Sequence, residues 1–383
     1  MLRRRNHLYQ RSVAVSAKGH NMKWAPPEKK KIRVLGVITK CLLLPVIFLI
    51  LLIHRMALLA DIILFPRLKT LKVNKPLFIV GLPRSGTTTV HRMMASHTEQ
   101  FTSLPLWELL FAPALCQKYL FWSAYKVDAA LGGPFERILG WVQDRLASSF
   151  DDIHPTRLTD PEEDYLGLLA FDGCFLRFLA FPYAKTTWAI GDFSVLPAPQ
   201  RQKLLTAYQD LVKRHLAFRG EDLRLLSKNP SFTTWVPDLA DAFPDAEFIG
   251  TNRDLAKVLP SQLSSIDGGL RLFGYTSKDP WIIEQFSGLL TDYQERLAAF
   301  QNSLDSRYAD VDFQLLVRSP EKIIEDIYQQ FHIPQRNEED ASRLDKLFLA
   351  SRSYKSKHAY SLDEFGLQAS DIGRGSAGIP SNG

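Results

Sequence analysis

Cysteine is scarce in this chain: three in 383 residues, at positions 41, 116 and 174, none in a Cys-x-x-Cys pair or a Cys/His cluster. Three isolated thiols exclude a disulfide framework and a structural zinc site. The nine histidines lack ligand spacing; His91 and His97 stand six apart, off a common helical face, so no protein-bound metal is expected. No Asn-x-Ser/Thr acceptor exists, because Asn229 is followed by Pro230. The missing sequons and unpaired thiols both favour a reducing compartment. Excess positive charge is also absent from most of the chain. The net charge of +6 comes from 16 Lys/Arg against two acids in residues 1–75, while the remainder holds 31 bases and 39 acids. A mildly acidic body argues against nucleic acid as a partner, because such a surface would carry its positive charge on the fold.

What is present begins with a basic arm, residues 1–33, holding Arg3-Arg4-Arg5 and Lys29-Lys30-Lys31. It reads as a flexible segment. Basic charge beside an apolar run suits an anionic membrane surface, so membrane association is expected. The apolar run covers residues 34–53, but only Cys41–Ile53, 13 residues, is free of charge. Spanning a bilayer takes about 20 residues, a length reached from Val34 if Lys40 extends to the interface. The preceding basic region is too long, and no small-residue cleavage site follows, for a signal peptide. A spanning helix, an interfacial or re-entrant helix, and a helix buried on the globule all remain open for residues 34–65.

From Lys75 onward strand and helix signals alternate. LFIVG (77–81) is an apolar run ending at glycine, as a buried parallel strand should be; 223–227 and 246–251 look the same, and 312–316 is a weaker fourth. Helical patterns cover 86–96, 162–171, 200–217, 233–243, 280–303, 319–331 and 338–351. The alternation predicts an α/β fold, a central parallel sheet flanked by helices on both faces, over residues 70–367, with a loose tail at 368–383.

The most informative segment is PLFIVGLPRSGTTTVHRMMASH, in which a strand runs into a helix through Gly81-Leu-Pro-Arg-Ser-Gly-Thr-Thr. Small residues at such a joint let backbone N–H groups approach a phosphate, and the helix N-terminus adds its dipole. The spacing Gly81-x4-Gly86 fits a P-loop frame, but Thr87 stands where an ATPase loop has lysine. A cation appears instead at Arg84, where an otherwise buried turn would require an anionic partner. A second anion site is suggested by FPDAEFIGTNRDLAKVLPSQ: Arg253 ends a strand, Asp254 can cap the next helix, and Ser261 lies eight residues on, a little over two turns. Arg253 could there clamp a phosphate in bidentate fashion.

The segment PRSGTT resembles the phosphosulfate loop of the sulfotransferase superfamily, and FPDAEFIGTNRD resembles a segment of its bacterial-type members, with Leu255 where proline is usual. RLLSKNPSF, PEEDYLGLLAF, RYADVDFQLLVRSPEKIIEDIYQQF and YSLDEFGL extend the likeness over roughly residues 75–365. The resemblance implies a P-loop three-layer sandwich and transfer of a sulfuryl group from 3′-phosphoadenosine 5′-phosphosulfate (PAPS) to a hydroxyl or amine, leaving adenosine 3′,5′-bisphosphate. It implies that Arg84, Ser85, Gly86, Thr87 and Thr88 hold the 5′-phosphosulfate, that Arg253 and Ser261 hold the 3′-phosphate, and that Arg84 and Lys228 act on the transferring group. PAPS is expected as a co-substrate, with no tightly bound cofactor. The base is expected at Glu108, by likeness to family members with a glutamate some twenty residues after the loop; its neighbours Trp107 and Leu109 would raise its pKa by desolvation. His154, in a polar His-Pro turn, is the second choice. A kinase or nucleotide hydrolase with a degenerate loop is the alternative activity. The expected acceptor is a small molecule, glycan or lipid. The body is expected on the cytosolic face, the alternative being a single-pass protein with its body in the Golgi lumen.

Overall fold

In the computed structural model, which describes residues 34–149, 157–353 and 361–368, the first described element is a long helix, α1 (Val34–Leu64). It then alternates strand and helix: β1 (Leu77–Gly81), α2 (Thr87–Ala95), β2 (Phe101–Thr102), α3 (Leu106–Phe111), α4 (Leu115–Ala130), α5 (Pro134–Ser149), α6 (Lys185–Gly191), α7 (Ala198–Arg219), β3 (Arg224–Lys228), α8 (Val236–Ala242), β4 (Glu247–Asn252), α9 (Leu255–Leu272), α10 (Pro280–Ser303), β5 (Tyr308–Asp312), α11 (Phe313–Arg318), α12 (Pro320–Gln330) and α13 (Glu338–Ser353). The five strands form one sheet in the order β2-β3-β1-β4-β5, every pairing parallel.

Alternation along the strands divides the core in two. Phe78, Val80, Leu225 and Phe248 face one side and pack under α7, α9 and α10 with Trp188 and Trp235. Leu77, Ile79, Leu226 and Ile249 face the other and meet Val90, Met93 and Met94 of α2 and Ile324 of α12. A side-chain period of two on strands covered on both faces is what makes three layers. β1 is central, with β3 on one side and β4 on the other, so the chain reverses direction around it and opens a crevice at the carboxyl ends of these strands.

The α/β reading from sequence stands, with local corrections. The expected fourth strand at 312–316 is helix: the strand is Tyr308–Asp312, and Asp312 caps α11 by accepting from Gln314 and Leu315 N–H at 2.8 and 3.0 Å. An aspartate followed by free N–H groups starts a helix more readily than it continues a strand. The expected helix at 162–171 is a 3-10 turn, Asp164–Phe171. The two-residue β2 and the pair α4–α5 carry no strong periodic signal in the sequence. α1 includes a stretch, Gly36–Leu64, long and apolar enough to cross a membrane.

Candidate active site

The loop after β1 is shaped by three residues at positive φ. Gly81 (127°) lies so close to β4 that a Cβ would collide with the Thr251 carbonyl; Gly86 (89°) precedes α2; and Arg84 itself is left-handed at 62°. A left-handed arginine costs on the order of 1–3 kcal/mol and persists only where its surroundings enforce it. Here they do. Ser85 is turned inward, its hydroxyl bonded to the Leu82 carbonyl and 2.6 Å from Thr251 Oγ1. Gly81 N–H donates to Thr233 Oγ1 at 2.9 Å, and Asn229 N–H donates to the Ile79 carbonyl at 2.9 Å. The turn after β3 and the end of β4 thus brace the loop from both sides. Ser85 spends its hydroxyl on this bracing, so of the loop side chains only Thr88 and Arg84 are exposed. No side chain caps α2 among the described residues, so its first N–H groups point into the crevice without an internal acceptor.

Arg84, Arg253 and Ser261 come together. Arg84 Nε donates to Ser261 Oγ at 3.1 Å, and Arg253 Nη1 donates to the Arg84 carbonyl at 2.8 Å. The Arg253 guanidinium lies 4.0 Å over the Phe313 ring, while its Nε is buried with no hydrogen-bond partner among the described residues. Burial, then the nearby Arg84 charge, push the Arg253 pKa down. Two adjacent guanidinium groups beside an uncapped helix, with one buried N–H unpaired, constitute a site suited to a polyanion.

Lys228 ends β3 nearby, almost fully buried, with Nζ 3.5 Å from Glu162 and 3.3 Å from Glu163. Burial opposes its charge, but the two carboxylates outweigh it and hold the Lys228 pKa above its usual value. Burial pushes the Glu162 carboxyl up despite Lys228. Next along the chain, Asp164 accepts from Tyr208 Oη at 2.6 Å; burial drives its carboxyl up to about 7. The sequence alone assigns these acids no role. Consecutive acids ahead of an apolar run look like an ordinary helix start, and nothing local marks a lysine some 65 residues away as their partner. His91 packs behind the loop, held neutral near pKa 3 by burial and by Lys228, with Nε2 3.0 Å from Ser103 Oγ.

Glu108 is not part of this group. Its carboxylate is fully buried and takes Lys118 Nζ at 2.6 Å, His215 Nδ1 at 2.8 Å and Arg219 Nε at 2.8 Å. His215 also bonds Thr102, which pairs with Leu225 near the start of β3, whereas Lys228 ends that strand. Three residues of strand separate the two levels by about 10 Å. The desolvation expected from Trp107 and Leu109 is present, but the net shift is opposite to expectation: burial works to raise the pKa, and His215, Lys118 and Arg219 hold it well below the usual carboxylate range. A carboxyl depressed in the fold contributes stability above its unfolded value of 4.5 and loses that contribution as pH falls. Glu108→Ala should therefore destabilise the protein by about 3–5 kcal/mol in urea unfolding at pH 7, and less in acid, because it leaves buried cations unpaired. Full stability of this variant at pH 7 would show the cluster to be dispensable. His154 lies outside the described residues.

Comparison with protein families now decides the class. The model of the sulfotransferase family matches residues 76–337. This chain belongs to the sulfotransferase family. Among solved structures, this sulfotransferase is similar to STF1 of Mycobacterium tuberculosis H37Rv, at 18% identity and a TM-score of 0.66 over 98% of this chain and 93% of that one. It is also similar to the sulfotransferase STF9 of Mycobacterium avium, at 18% identity and a TM-score of 0.66 over 94% and 87%. At such identity the likeness establishes the fold. Comparison with curated proteins finds no match.

Proposed function

We propose that this sulfotransferase takes its sulfuryl group from PAPS and passes it to a hydroxyl or amine of a lipid or glycan acceptor. The observation that carries the donor is the convergence of Arg84, Arg253 and Ser261 beside the uncapped start of α2. Adenosine 3′,5′-bisphosphate carries two separated phosphates. The N–H groups of residues 84–88 with Thr88 would hold the 5′ end, and Arg253 with Ser261 the 3′ end, Phe313 keeping Arg253 in place.

In the reaction the acceptor oxygen or nitrogen attacks sulfur as the bond from sulfur to the 5′-phosphate oxygen breaks. The electron pair leaves with the phosphate, and the acceptor proton must go to a base. Lys228 would stabilise charge on the leaving oxygen. Glu162, carboxylate to Lys228 and raised in pKa, would take the proton; the geometry of Glu108 favours a structural part instead.

Calorimetry on the full chain tests the donor. Arg253→Ala should weaken adenosine 3′,5′-bisphosphate binding by about 2–4 kcal/mol, 30-fold or more, since it removes a charged clamp. ATP should bind poorly to wild type. ATP binding that is strong and indifferent to Arg253 would instead favour a kinase or hydrolase.

The protein is also read as membrane-associated with its catalytic domain on the cytosolic face. The long apolar helix beside a basic arm supports the association, and Cys41, Cys116 and Cys174, all free thiols, support the compartment.

A further inference from the structure

α1 does not stand away from the catalytic body. At its start Gly36 packs so closely on the Phe273 carbonyl that a Cβ would collide, and Lys40 Nζ donates to Tyr275 Oη at 2.6 Å. Midway, His54 Nε2 donates to the Leu110 carbonyl at 3.0 Å and Arg55 Nε to the Ala170 carbonyl at 3.0 Å. At its end Asp61, fully buried, accepts from Leu115 N–H at 2.6 Å, Cys116 N–H at 2.9 Å and Arg214 Nε at 2.9 Å. From Gly36 to Asp61 is about 38 Å of helix. Both ends are therefore pinned to one globule, and the helix lies along its surface. Crossing a bilayer would drag Tyr275, Ala170 and Arg214 into hydrocarbon or strip Asp61 and Arg214 of their partners, a cost that rules out the spanning geometry for this arrangement.

The opposite stripe of α1 is apolar and exposed: Leu42, Val46, Leu49, Ile53 and Met56 recur at spacings of three and four. The end of α1 packs against α4, with the Phe65 and Tyr119 rings 5.9 Å apart. After Lys118, α4 leaves the core and forms a projecting hairpin with α5. Its flanks and tip expose Leu120, Trp122, Val127, Leu131, Phe135 and Ile138, and the turn is fixed by Asp128, which accepts from Phe135 and Glu136 N–H at 2.9 and 3.0 Å. Apolar exposure of this extent on elements in contact marks a binding face.

We infer that the outer stripe of α1 and the α4–α5 hairpin together form a monotopic platform that sits in one leaflet of an anionic lipid bilayer. This deepens the reading of membrane association and does not depend on the donor. Three features select lipid over a protein partner. The outer stripe of α1 has no charged residue from Cys41 to Ile53, so it can lie in hydrocarbon without burying a charge. The arm that enters α1 carries ten Lys/Arg against one acid in residues 1–33, complementary to anionic headgroups. On the hairpin, Lys126 Nζ lies 5.3 Å over the Trp122 ring, with Tyr125 exposed beside it: residue types that settle at the boundary between headgroups and acyl chains.

The full chain should float with phosphatidylcholine vesicles containing phosphatidylserine. The triple variant Leu120→Glu, Val127→Glu, Leu131→Glu should lower the vesicle partition by about tenfold or more, with its bisphosphate affinity unchanged. Brominated lipid should quench Trp122, a signal lost in the conservative Trp122→Phe variant. With a tag at each end and synthesis in the presence of microsomes, added protease should reach both tags. Four results overturn the proposal: protection of one tag, which means spanning; flotation of the triple variant equal to wild type; quenching unchanged by Trp122→Phe; or failure of the wild type to float while it forms larger oligomers. Flotation uses neither donor nor acceptor, so its failure and a failure of the bisphosphate titration are separate events.

Discussion

Turnover should fall by about 10²–10³-fold when Lys228 is replaced by Met, with little change in affinity for adenosine 3′,5′-bisphosphate. The ammonium is placed at the carboxyl end of β3, beside the loop that follows β1, and is kept protonated by Glu162 and Glu163 against the cost of burial. A cation held in place before the reaction helps only where charge develops, which in the proposed reaction is the oxygen that leaves sulfur. Its loss therefore appears in kcat and not in the binding of a product that has already lost its sulfuryl group. Methionine preserves the apolar stem, so a melting temperature close to wild type separates lost chemistry from lost folding. Turnover within a fewfold of wild type would remove Lys228 from the reaction.

Glu162→Gln should lower kcat by about 10²–10⁴-fold, the usual contribution of a positioned base, again with bisphosphate affinity retained. The pH profile supplies a readout that a structural role would not move. A base works only when deprotonated, and burial holds the Glu162 pKa above its ordinary value of 4.5. Wild-type kcat should accordingly decline on the acid side as pH falls through that raised pKa, and the decline should vanish in the glutamine variant. Glu163→Gln is the comparison, since it lies equally near Lys228. If it removes the acid limb and Glu162→Gln does not, the base is one residue further along; if neither does, the proton leaves by another route.

The readable part of the site is the part whose geometry is short-range. Gly81, Arg84 and Gly86 stand in one strand-to-helix joint, and Arg253 immediately precedes the Asp254 cap of the helix that carries Ser261. Spacing within a single element sets where these groups point, so their types and order in the chain were informative. Glu108 shows the limit. Its immediate neighbours, Trp107 and Leu109, foretold burial, but the cations that reverse its pKa shift are ten residues away and more than a hundred residues away. Ser85 has the same lesson in reverse: a hydroxyl expected to face a ligand is taken by Thr251 from another strand.

The family resemblance, the parallel α/β sheet and a glycine-bounded strand-to-helix joint were legible in the sequence, because strand alternation, helix periodicity and turn chemistry are local properties of the chain. Which acids surround Lys228, that Glu108 is locked in an ion cluster, and that α1 lies flat on the globule emerge from the folded arrangement. Each of these depends on contacts between residues far apart in the chain. Their energies come from desolvation and from charges brought together by packing, and neither exists until the sheet and its covering helices have assembled.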